Sequence, residues 1–117
     1  MSISVISRND EVMNQTLAID AFGALAHDSR LSIFRLLVQR GPGGTPAMEL
    51  GRILDLKPST LSGHLATLKR AGLVTTQRQH REVRYAPNFD AVSGLVRFLV
   101  QDCCGGDETA CAGLPRG

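Results

Sequence analysis

The most reactive side chains of this 117-residue chain are its three cysteines, Cys103, Cys104 and Cys111, all close to the C-terminus. Two are adjacent, and the third follows beyond Gly105-Gly106. Neighbouring side chains diverge on a regular helix, but at a helix end followed by glycines they can be turned onto one centre. Three soft thiolates suit a thiophilic ion. Trivalent arsenic takes three sulfurs in a pyramid, whereas tetrahedral zinc wants a fourth ligand. His27, His64 and His80 are distant in sequence, which leaves Asp102, Asp107 or Glu108 to complete a poorer zinc site. A tail with incidental thiols, a chance disulfide and a persulfide or redox switch compete with ion binding. A thiol enzyme or metallochaperone is disfavoured, because there is no Cys-x-x-Cys and no βαβ pattern.

A second constellation suits nucleic acid. Between Lys57 and Arg84 lie six basic residues, Lys57, Lys69, Arg70, Arg78, Arg81 and Arg84, against one acid, Glu82, in a chain whose net charge is only +2. Clustered on one surface, such residues would meet phosphates. On charge alone, a solvated face is an equal reading. The segment Pro58–Gly72 separates two chemistries on a helical wheel. Leu61, Leu65, Leu68 and Gly72 share one side. Ser59, Gly63 and Thr67 lie opposite, flanked by Thr60 and Ser62, with no acid among them. Small hydroxyl side chains let a helix sit close in a major groove and donate to phosphates or base edges. Arg78, Arg81 and Arg84 could grip the backbone or a narrow minor groove. His64 falls toward the leucine side and reads as a packed histidine rather than a ligand.

These residues need elements to position them. The spacing predicts a first helix, capped by Asn9 or Asp10 and running to Ala26, with Met13, Leu17, Ala21 and Leu25 on its stripe. Asp28 or Ser29 should cap a second helix, Arg30–Arg40, facing inward with Leu31, Phe34 and Leu37; Gly41-Pro42-Gly43-Gly44 ends it. Thr45 as N-cap and Pro46 at the first helical position should open a third, through Leu54. After a turn at Asp55-Leu56-Lys57, Pro58 opens the fourth, and Gly72 closes it in the left-handed conformation. Two short helices joined by such a turn form a helix-turn-helix. Val74–Arg78 and Glu82–Ala86 alternate and are β-rich, which predicts a two-stranded hairpin, the wing, turning at Gln79–Arg81. Asp90 should cap a last helix, Ala91–Asp102, with Val92, Leu95, Val96 and Leu99 on one face.

The expected fold is therefore mainly α with a β-hairpin, a winged helix-turn-helix of five helices and a two-stranded wing. Residues 1–8 read as a leader, 9–102 as the DNA-binding and dimerisation domain, and 103–117 as a cysteine-bearing tail. Aromatic residues are 4% of the chain, so the core must be Leu, Ile, Val and Ala. A domain of this size often gains stability by pairing. No apolar h-region opens the chain and Leu95–Val100 is too short to span a bilayer, so a cytoplasmic protein without a membrane partner is expected.

Two stretches resemble the ArsR/SmtB family of metalloregulators. Ala24-Leu25-Ala26-His27-Asp28-Ser29-Arg30-Leu31-Ser32-Ile33-Phe34-Arg35-Leu36-Leu37 is similar to the family's second helix. Leu56-Lys57-Pro58-Ser59-Thr60-Leu61-Ser62-Gly63-His64-Leu65, with Leu68 and Ala71-Gly72-Leu73-Val74, resembles its recognition helix and the start of its wing. Lys57-Pro58 stands where Ser-Gln or Ser-x is more common, and the wing turn lacks the usual Gly. The resemblance implies a homodimeric repressor, paired through its first and last helices on double-stranded operator DNA, with Ser59, Thr60, Ser62 and Gly63 at DNA-contacting positions. Cys-Cys-Gly-Gly with a further Cys close behind looks like the C-terminal arsenite site of one subgroup, which implies release of an arsenic-resistance operon by trivalent arsenic or antimony. The cysteine-bearing third helix and the His/Asp zinc site of other members have no counterpart here. Sensing of another thiophilic metal, or of a persulfide or redox signal, is the alternative within the same family.

Overall fold

The computed structural model describes residues 13–101; Asn9, Asp10, the leader and the three cysteines lie outside that range. The first helix, α1, is Gln15–Leu25, and Asn14 caps it by accepting a hydrogen bond from the Leu17 amide at 2.9 Å. Its buried residues are Ala18, Ala21 and Ala24, with Met13 and Leu25 half-buried against the core. This stripe of small side chains brings the helix close to its neighbours, and it leaves Ile19 and Phe22 exposed.

Helix α2 is Asp28–Arg40, and its cap is His27 rather than Asp28 or Ser29. The Nδ1 atom of His27 accepts from the Ser29 amide at 3.2 Å, so an imidazole performs the task usually given to a small polar side chain. Asp28 is left in the first turn, where its charge suits the helix dipole. The inward stripe is Ile33, Phe34 and Leu37, not Leu31, which is 45% exposed. Leu31 and Ile33 both sit within one turn of Phe34, and the core face turns toward Ile33.

Thr45-Pro46 corrects the expected helix cap. The pair is a short strand, β1, antiparallel to the later strand β3 (Glu82–Pro87), with Thr45 opposite Tyr85 and Pro46 opposite Arg84. Proline biases the residue before it toward extended backbone, and an edge strand tolerates its missing N–H. The sheet is therefore three-stranded, in the order β1-β3-β2, where β2 is Val74–Gln79. Helix α3, Ala47–Leu54, follows directly, and α4 is Pro58–Arg70. Helix α5 is Phe89–Val100, capped by Asn88 rather than Asp90. An amide can do what a carboxylate cannot: Asn88 Oδ1 accepts from the Ala91 amide at 3.2 Å while Nδ2 donates to the Gly72 carbonyl at 2.9 Å. Asn88 thus ties the start of α5 to the end of α4. Val92, Leu95 and Phe98 pack inward from α5, while Leu99 is 63% exposed.

The core is one cluster built from α1, α2, α3, α4, β2 and α5, aliphatic except for Phe34. Leu61, Leu65 and Leu68 lie in its centre, so the helix with the hydroxyl face is seated on the best-buried part of the molecule. Among the described residues, no helix is long and apolar enough to cross a membrane.

Candidate nucleic-acid interface

Helices α3 and α4 form the helix-turn-helix. Asp55 takes the left-handed conformation, φ +57°, and the Leu56 amide returns to the Gly51 carbonyl at 3.0 Å. A Cβ on Gly51 would lie 3.1 Å from the Leu56 carbonyl oxygen, so a larger residue there would have to push the turn back by a few tenths of an ångström. Pro58 occupies the first turn of α4, where its missing N–H costs nothing. At the other end the Gly72 amide donates to Lys69 O and the Leu73 amide to Leu68 O, and Gly72 has φ +80°. This paired arrangement closes the helix with its last carbonyls satisfied.

Between those ends the wheel separates as the sequence implies. Leu61, Leu65 and Leu68 are buried; Ser59, Thr60, Ser62 and Gly63 are exposed. A Cβ on Gly63 would meet nothing within 4 Å, so this point of the surface is open to close approach by a partner. Thr67 sits apart from that group. It is half-buried, its hydroxyl donates to the Gly63 carbonyl at 3.2 Å, and Arg70 donates to the same hydroxyl at 3.4 Å. With Asp20, Gly23, Ala24, Arg30, Arg70 and Ala71 it lines an open hollow of about 410 Å³ between α4 and α1.

The wing is the β2–β3 hairpin, turning at His80-Arg81 with His80 at φ +59°. Arg78 and Arg81 are exposed. Arg84 is not with them. Its Nη1 donates to the Gly44 carbonyl and its Nε to Glu82, both at 3.0 Å, so it fastens β3 to the loop between α2 and β1. Gln77 reinforces the same junction by donating to the Pro42 carbonyl at 2.9 Å. Lys69 reaches Thr76 at 3.5 Å, linking the end of α4 to the wing. The exposed basic groups flanking the hydroxyl face along the chain are therefore Arg52 on α3, Lys57 at the start of α4, Lys69 and Arg70 at its end, and Arg78 and Arg81 on the hairpin.

His64 is packed, and what packs it is not visible in the sequence. Its ring centroid is 4.7 Å from that of His27, the two rings tilted by 52°. Desolvation, followed by His27 and the Arg30 guanidinium, lowers the His64 pKa below its ordinary value. The residues involved are far apart in sequence, so only the helix packing brings them together.

A helix-turn-helix domain model matches residues 25–77. The HTH-type transcriptional regulator YgaV of Escherichia coli (strain K12) is 36% identical over 81 residues, covering 69% of this chain and 80% of YgaV. The arsenical resistance operon repressor of the same organism is 30% identical over 114 residues, covering 82% of this chain and 96% of the repressor. Among solved structures, an ArsR-like transcriptional regulator from Rhodococcus sp. RHA1 superposes with a TM-score of 0.69 at 25% identity, covering 83% of this chain and 89% of that one.

Proposed function

The chain belongs to the ArsR/SmtB-type winged helix-turn-helix transcription regulators, and from that premise we propose that it is an operator-binding homodimeric repressor of an arsenic-resistance operon, released by trivalent arsenic or antimony. The observation that carries the DNA reading is the surface of α4: an open, acid-free face of Ser59, Thr60, Ser62 and Gly63 on a helix seated by three buried leucines. Hydroxyls and the free amides of the first turn donate to phosphates and base edges, and Arg78 and Arg81 meet backbone from the wing. Arg84 serves the interface through the sheet it fastens, and Thr67 borders the face from the α1 side.

Pairing is supported by apolar side chains left at the surface of the first and last helices: Ile19 is 60% exposed and Phe22 39% on α1, Phe89 43% and Leu99 63% on α5. Burying these faces against a second copy would set two recognition helices at a fixed spacing for a two-fold operator.

The effector reading rests on the sequence beyond α5. Cys103, Cys104 and Cys111 offer three thiolates, a donor set that fits a three-coordinate, sulfur-seeking ion better than a four-coordinate one. They follow shortly after α5 ends at Val100, so ligation there acts next to a dimer-forming helix. The ion must favour the weak-DNA arrangement to release the operator, and couplings of this kind are worth roughly 5–150-fold in affinity. Arsenite added to a gel shift of the reduced protein on its operator should free the DNA, and Cys103→Ser, Cys104→Ser and Cys111→Ser variants should stay bound. Binding indifferent to arsenite would reject the sensing role and leave the DNA role standing. Release by Zn²⁺ or a persulfide donor instead would assign another signal to the same regulator.

A further inference from the structure

The contact between His27 and His64 is not explained by DNA binding or by the cysteines. It joins two elements whose relation matters: His64 is on α4, one residue from Gly63 of the exposed face, and His27 is in the turn between α1 and α2. His27 also holds α2 at its start, because its Nδ1 accepts from the Ser29 amide. That bond requires a neutral ring with its hydrogen on Nε2. Arg30 fixes the same corner by donating from Nε to the Ala24 carbonyl at 2.6 Å.

Desolvation first, then a charge on His27 and the Arg30 guanidinium, oppose a proton on His64. From α1, Asp20 lies on the rim of the hollow that Arg30 also lines. Asp28 adjoins His27 in the chain. On α3, Glu49 is paired with Arg40, and Arg52 is exposed; β2 contributes the exposed Arg78. A proton on His27 Nδ1 would leave the Ser29 amide without its acceptor. Protonating His64 sets a cation against His27 and Arg30. Arg30 likewise makes the pair a poor seat for a metal cation, and among the described residues no third ligand joins it.

We propose that His27 and His64 form a proton-operated latch that holds the DNA-reading helix to the α1–α2 turn, closed when both rings are neutral and opened by acid, so that operator affinity falls as pH drops through the histidine range. Only the last clause rests on the DNA-binding reading; the latch is a property of the free protein. The sign is distinctive. Ordinarily, acid adds positive charge to a protein and tightens its hold on DNA, whereas here acid loosens it.

Two measurements test this. In the DNA-free, full-length reduced protein, NMR titration of both imidazoles with amide hydrogen exchange should show faster exchange of the Ser29 amide and of the α4 amides as the rings protonate. His27→Asn keeps an acceptor at the cap and cannot titrate, so it should remove the Ser29 response to acid; with the ring contact to His64 gone, its α4 amides should exchange at neutral pH as those of the wild type do in acid. Binding is then measured on a duplex selected by the protein from a random pool at about pH 7.5, the neutral side of the histidine range. At constant ionic strength, wild-type affinity should drop at least fivefold by about pH 5.5, on the scale of a modest coupling. His27→Asn and His64→Gln should each flatten that drop. Amides indifferent to ring protonation would overturn the latch. A normal latch with affinity unchanged or tighter in acid would overturn its link to DNA. Failure to select any duplex would count against the proposed function, and the exchange measurement would still decide the latch.

Discussion

The recognition helix and the wing lie side by side in the chain and are held in place by different forces. Helix α4 is anchored by apolar burial: Leu61, Leu65 and Leu68 are each no more than 2% exposed, and Gly72 closes the helix. The hairpin buries little beyond Val74, Ala86 and Pro87, with Tyr85 half-buried. It is fastened by polar bonds, Arg84 to the Gly44 carbonyl and Gln77 to the Pro42 carbonyl, and by the short strand β1. One reading head is therefore as stable as the core itself, while the other is a tethered flap whose free arginines can adjust to the duplex. Regions with little buried apolar surface open at lower free-energy cost than the core.

The largest effect should come from the helix. Leu65→Ala removes a fully buried side chain from the centre of the cluster and should cost about 2–5 kcal/mol, read as a lower urea midpoint with an unchanged slope. DNA binding should fail together with folding. A variant that melts normally would show that α4 is not seated as described.

The wing should show the opposite separation. Arg78→Ala with Arg81→Ala removes two exposed cations and should leave the melting temperature alone. Operator affinity should weaken, and the slope of log affinity on log salt should fall by about 2 per protomer, about 4 for the dimer, one for each phosphate that is no longer neutralised. Arg84→Ala belongs with the helix in kind though not in size. It unties the hairpin from the loop before β1 and should cost about 1 kcal/mol of stability, the scale of a single part-exposed charged hydrogen bond. Loss of salt dependence from Arg84→Ala without loss of stability would reverse the roles of Arg81 and Arg84.

The same contrast governs how much the sequence reveals. The two faces of α4, its proline start and its glycine end are legible because local spacing and capping chemistry set them. The three arginines of the wing look alike, because period-2 patterning places a residue on a face but does not show what lies across from it. Gly44, the acceptor for Arg84, lies far away in sequence. Thr45-Pro46 reads equally well as a helix cap until β3 is there to pair with it. Asp90 reads as the cap in place of Asn88, because the value of Asn88 lies in bonding two distant elements at once. Between His27 and His64 no periodicity signals that the rings meet.

pH distinguishes the core side of α4 from its surface. The His64 pKa is lowered in the folded protein, by desolvation first and then by His27 and Arg30. In unfolded chain it returns to about 6.5. The unfolded state therefore binds the proton more readily, and stability falls as pH drops below that value toward the folded pKa. Above it the full contribution is present. Urea midpoints should decline across this window in wild type and less so in His64→Gln. Midpoints that rise as pH falls there would contradict the environment assigned to His64.

The smallest effect is expected at the wing tip. His80 has φ +59°, a conformation that costs a side-chain-bearing residue about 1 kcal/mol. Glycine adopts it freely but loses more backbone entropy on folding. The two terms nearly offset, so His80→Gly should shift stability by less than about 1 kcal/mol, with relief of strain favouring a small gain. If the wing is a flap whose tip is set by its own backbone, hairpin amides near the turn should exchange more slowly in the variant while α4 amides stay unchanged. A response in α4 would mean that the two reading heads are coupled more tightly than through Lys69 and Thr76 alone.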